Sequence, residues 1–137
     1  MRDLIPKRGR PAHELRLTDD GLRLVDVSSG LVIWELVWRG VRQICAWKED
    51  LFVVDLICMG FRLGDESTLV WCDEECNGWD ALQERLEKEF QVKAEMWWRR
   101  VAFPAFVANW TTVWGEDGTG APILLARSPH EPGFPVV

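Results

Sequence analysis

The chain has 137 residues, of which 47% are apolar and 28% charged, with a net charge of −6. That length fits one domain, and a chain of this size buries roughly two-thirds of its unfolded surface, so it needs neither metal nor disulfide for stability. The acidic balance repels phosphates and speaks against nucleic acid and anionic membranes as partners, and no run approaches the ~20 apolar residues of a membrane span.

The charge is unevenly placed. Between Gly64 and Phe90 nine acids stand against two bases, while a small basic cluster (Arg2, Lys7, Arg8, Arg10) sits at the start. The opening "MRDLIPKRGRP" has charges and prolines where a signal peptide needs an apolar core, so a cytoplasmic location is expected. The sequon at Asn109 is then a chance match. Nine Trp accompany no Tyr. Trp combines a large apolar area with one N–H donor, which suits cores, pockets and interfaces alike.

The first elements read as a hairpin. Leu15 and Leu17 alternate before a turn, Leu22 and Leu24 after it, and Asp20-Gly21 is a favoured two-residue turn because Gly tolerates positive φ. "SSG" punctuates, and "LVIWELVW" follows as a third strand. "ICAWK", "LICMGFRL" and "STLVWC" continue the β-rich pattern, separated by "KED", "GDES" and "DEECNG". Short strands with such punctuation predict an antiparallel sandwich or small barrel. The period then changes. Trp79, Leu82, Leu86 and Phe90 recur at three and four, which predicts an amphipathic helix over 78–90. Asn77 is placed to cap it, with Asp80 in its first turn and a Glu84–Lys88 pair on its outer face. The aromatic, β-branched segment 91–115 reads as one or two extended pieces. Segment 116–137, with four of the seven prolines, reads as an extended or disordered tail.

The stretch "LTDDGLRLVD…WRGVRQICAWKED" resembles the pleckstrin-homology-like (PH-like) fold: a turn with Gly, then Trp38, then Val41 and Ile44 leading into a strand. Ala46 to Cys58 is also similar to an "A-aromatic-K-x-D-L-F…D-L-I-C" core in a group of small bacterial proteins. The resemblance covers residues 14–90 and leaves 91–115 as an extension within one domain over 1–115. It implies an α+β chain, a PH-like antiparallel β-sandwich or barrel with one helix after the sheet, and a binding module with no catalytic residues to carry over. Phosphoinositide-binding members carry basic residues near the first hairpin loop. Asp19 and Asp20 stand there instead, so lipid headgroup binding does not follow. A lipocalin-like barrel would need more strands than this chain offers.

Several groups of residues are candidate sites. Lys48, Asp50 and Asp55 interrupt a strongly apolar stretch. They form either a rim cluster that holds a ligand or a strand connection whose charges satisfy one another, and the connection is the simpler reading because a buried charge must be paired. Cys72 and Cys76 form a C-x3-C pair, but Cys45 and Cys58 lie in strand-like runs and His13 and His130 are not placed to help, so no metal or other cofactor is expected. Asp73, Glu74 and Glu75 belong either to a solvated loop or to a surface for a basic protein. Trp97 and Trp98 cannot both face inward in an extended segment, so one of them is an interface candidate, with Arg99 and Arg100 beside them able to anchor a carboxylate or stack on an aromatic ring. No P-loop, dinucleotide-binding glycine pattern, H-E-x-x-H or G-x-S-x-G is present, and the chain is not expected to be an enzyme. The expected function is a non-catalytic protein-interaction module, with a protein partner, a basic one for the acidic segment, or a homodimer through 96–114. The alternatives are an immunity or inhibitor protein for a basic toxin, and a binder of a small apolar ligand in a Trp-lined pocket.

Overall fold

The computed structural model describes residues 12–50, 55–64, 69–103 and 110–115. The expected Pro-rich tail over 116–137 lies outside them. Strands β1 (His13–Leu17), β2 (Gly21–Asp26) and β3 (Val32–Val37) form an antiparallel meander, ordered β1-β2-β3. Leu15 faces Leu24 and Leu17 faces Leu22, so the alternating leucines line one face. The turn itself is Asp19-Asp20, closed by a bond from the Thr18 N–H to the Gly21 carbonyl at 2.9 Å. Gly21 is therefore the first residue of β2 rather than a turn residue. It has to be glycine for a different reason: the Leu36 carbonyl of β3 occupies the place a Cβ would take.

A 3-10 turn at Trp38–Gly40 leads into the second sheet. This sheet comprises β4 (Val41–Asp50), β5 (Asp55–Leu63), β6 (Leu69–Asp73) and β7 (Thr111–Gly115), all antiparallel and ordered β6-β5-β4-β7. Neither sheet closes on itself, so the architecture is two open antiparallel sheets with helices and not a barrel.

The main core lies between the sheets. Leu22, Leu24 and Trp34 from the first meet Ile44, Met59, Phe61 and Cys72 from the second. The Trp34 indole N–H donates to the Trp71 carbonyl at 3.1 Å, which ties the two sheets and satisfies a buried donor. The opposite face of the second sheet is apolar as well, with Cys45, Trp47, Leu56, Cys58, Leu69 and Trp71 in a cluster of their own. Burial on both faces explains why β4 to β6 read as near-continuous apolar runs. At the centre of that face is Gly60. A Cβ there would strike Leu69, and Trp47 at 2.9 Å.

Two helices cover the core, where one was expected. Helix α1 (Trp79–Phe90) matches the predicted segment and buries Leu82 and Leu86. Its N-cap is Gly78 at φ 93, with no side-chain cap. Asn77 does not cap because β1 has captured its backbone: its N–H donates to the His13 carbonyl at 3.0 Å and its carbonyl accepts from the Leu15 N–H at 2.7 Å. The pair along the helix is Arg85–Glu89 at 2.7 Å, in place of Glu84–Lys88.

Helix α2 (Ala94–Ala102) corrects the extended reading of this segment. Ala94, Met96, Arg99 and Arg100 are good helix formers, and neither Gly nor Pro interrupts them. The helix stops because Pro104 follows Phe103, and a residue before proline avoids the α region. Phe103 is extended accordingly, at φ −123 and ψ 140. Val92, Trp97 and Val101 join the main core, and β7 extends the second sheet, so α2 and β7 are built onto the same two sheets.

Candidate interaction surface

The structure distributes the candidate residues differently from their grouping in the sequence. Lys48 and Asp50 lie within β4, and Asp55 opens β5 directly opposite Asp50. The strand connection is therefore confined to 51–54, outside the described residues, as are the side chains of Asp50 and Asp55. Lys48 is buried, and its Nζ donates to the Ala102 carbonyl at 2.8 Å, at the end of α2. A cation placed on the last carbonyls of a helix meets their partial negative charge. The charge that interrupts the apolar run is thus an anchor for α2.

The acidic trio divides. Asp73 is buried, and its Oδ1 accepts the Glu75 N–H at 2.8 Å, holding the turn after β6. The Glu74 N–H donates to the Ile57 carbonyl at 2.9 Å while its carboxylate accepts the Ile57 N–H at 2.7 Å. Glu74 therefore serves β5 as an extra ladder partner, half of it made by a side chain. Glu75 is exposed, as are Asp80, Glu84 and Glu87 along α1.

Trp97 and Trp98 separate as expected, though by helical geometry. Neighbours on a helix are about 100° apart, so Trp97 is 3% exposed in the core while Trp98 is 43% exposed. Trp98 meets Phe103 edge-on, with ring centroids 6.0 Å apart. Met96 and Phe103, at 65% and 61%, are more exposed still. Arg99 and Arg100 are exposed beside them, and their side chains make no hydrogen bond or ion pair among the described residues. Met96, Arg99, Arg100 and Phe103 are spaced at i, i+3, i+4 and i+7, one stripe on the side of α2 away from the core. The sequence points to Trp98, Arg99 and Arg100 but not to Met96 and Phe103. The signal was present: Ala94, Trp97 and Val101 already mark a buried face at spacings of three and four, which puts the rest outside.

Two open clefts adjoin the helices. One, about 370 Å³, is lined by Asp19, Asp20, Trp38, Arg39, Glu89 and Phe90. Arg85 lies 5.7 Å over the Trp38 ring and is bonded to Glu89 and to the Asp19 carbonyl, three of the residues that line it. The other, about 380 Å³, is lined by Arg100, Trp110, Thr111 and Thr112. Trp110 stacks on Trp47 at 4.6 Å and 12°, continuing the aromatic cluster of the outer sheet face.

The cysteines are buried free thiols. Burial raises Cys45 and Cys76 to about 12, with neighbouring Asp73 adding to the effect on Cys76, and it also raises Cys58 and Cys72 well above the ordinary thiol value. They are protonated at neutral pH, the opposite of an activated nucleophile. Among the described residues, no three His, Cys, Asp or Glu side chains form a metal-binding group, and no helix is long and apolar enough to cross a membrane. No family model matches the chain, and no curated protein or solved structure is significantly similar to it.

Proposed function

We propose that the protein is a non-catalytic protein-binding module of PH-like build that docks its partner on the outward stripe of α2. One observation carries this reading: Met96 and Phe103 are exposed on one stripe with Arg99 and Arg100, which have no ionic partner among the described residues, and Trp98 is exposed on the flank against Phe103. Trp, Met and Arg are enriched where protein partners meet, because they combine large contact area with directional bonding. The succession of a strand meander, a second antiparallel sheet and an amphipathic helix supports the PH-like build. A second reading is an inhibitor of a basic protein. It is favoured by the exposed acids Glu75, Asp80, Glu84 and Glu87.

The test is affinity purification from the producing cells of the wild-type chain and of a Trp98→Ala, Phe103→Ala variant, matched for folded content by circular dichroism. A stoichiometric partner held by the wild type and lost by the variant is the expected result. A partner held equally by both, or none held by either, would overturn the assignment of α2.

A further inference from the structure

We infer that the outward stripe of α2 takes an acidic segment of a partner protein, one that lays a large apolar side chain on Met96 and Phe103 and sets carboxylates on Arg99 and Arg100. The inference rests on α2 as the docking face and gives that face a partner of definite chemistry.

The sign of the charge comes from the bonding. The chain is acidic overall, which favours a basic partner, but the acids around β6 are partly committed within the fold. Asp73 and Glu74 bond backbone N–H groups. Arg16, Arg23 and Arg85 are likewise paired, with Glu14, Glu35 and Glu89. Arg99 and Arg100 are not paired among the described residues, and from Lys93 to Phe103 the only acid is Glu95. Two adjacent guanidiniums beside an apolar stripe complement carboxylates, which they bind through paired N–H donors. Arg100 also borders the cleft with Trp110, which places a cation and an indole face at the edge of the same surface.

The partner is not a second copy of this chain presenting α1. That helix has the carboxylates, but its core-facing Leu82 and Leu86 are buried and it exposes no large apolar side chain among the described residues. It would neutralise Arg99 and Arg100 and leave Met96 and Phe103 uncovered. A segment that satisfies both halves of the surface must join acids to an apolar anchor, as amphipathic helices docked on exposed grooves do.

The experiment is selection of a displayed random-peptide library on the immobilised full-length protein, followed by titration of a synthesised winner. Winners should combine Asp or Glu with Leu, Phe or Trp. Their affinity should fall at least about tenfold in an Arg99→Glu, Arg100→Glu variant and fall with added salt, as charge-steered contacts do. An Arg99→Lys, Arg100→Lys variant should keep part of the affinity. Both variants change exposed residues, and an unchanged Trp emission spectrum shows that they are folded. Basic winners, or acidic winners that bind the Glu variant equally well, would overturn the acidic partner and leave a docking module. No winners at all would overturn both. Self-association in sedimentation that the Glu variant abolishes would identify a second copy as the occupant and overturn this inference.

Discussion

Helices α1 and α2 follow one another within a few residues and cover the same core, yet they end in opposite states. Helix α1 buries Leu82 and Leu86 and shows solvent mostly charged side chains, one of them an arginine held by Glu89, Trp38 and the Asp19 carbonyl. Helix α2 buries Trp97 and Val101 and still leaves a methionine, a tryptophan and the following phenylalanine exposed. The first helix has its needs met within the chain. The second has apolar area and charge left over, and the proposed docking surface rests on that surplus.

The comparison can be tested on each side. The largest expected effect is at Trp97. Trp97→Ala opens a cavity under α2 and should cost about 3–5 kcal/mol in urea denaturation. Equal stability of variant and wild type would mean that α2 is not docked on the core. Next is Lys48→Met, which leaves the Ala102 carbonyl without its charged donor and should cost about 2 kcal/mol. An unchanged midpoint would detach Lys48 from the support of α2.

Alkaline pH sharpens the α1 side, where Cys76 sits at the helix entrance and its carbonyl accepts the Trp79 N–H. In the folded state Cys45 and Cys76 lie near 12, above the ordinary thiol value of 9.0. The unfolded chain therefore loses these protons first. Their stabilisation is complete below pH 9 and declines as pH rises toward 12, by about 1 kcal/mol for each thiol at pH 10. Denaturation midpoints that are level between pH 8 and 10 would show the thiols to be solvated. The smallest effect belongs to Trp98→Ala, which should change stability by less than about 0.5 kcal/mol. A large loss there would make Trp98 part of the core and remove it from the surface.

Much of the fold was legible in the sequence because local pattern and burial agreed. The leucine alternation of β1 and β2 and the three-and-four spacing of α1 each report one buried face. The near-continuous apolar runs of β4 to β6 report a sheet buried on both faces. Helix α2 was masked by its composition, since aromatic and β-branched residues favour strands while its period is helical. Other features depended on tertiary partners that no local pattern reveals. Gly21 answers to the Leu36 carbonyl, Asn77 to β1, and Glu74 to a backbone N–H of β5. Lys48 stood out as an oddity in the sequence, but its partner lies 54 residues away.

The most direct measurement places a photo-crosslinking benzophenone amino acid at Met96 in one variant and at Glu84 in another, and irradiates the producing cells. A discrete adduct from position 96, absent from position 84, is the result expected if α2 is the docking face. An adduct from position 84 alone would move the interaction to the acidic helix and contradict the account.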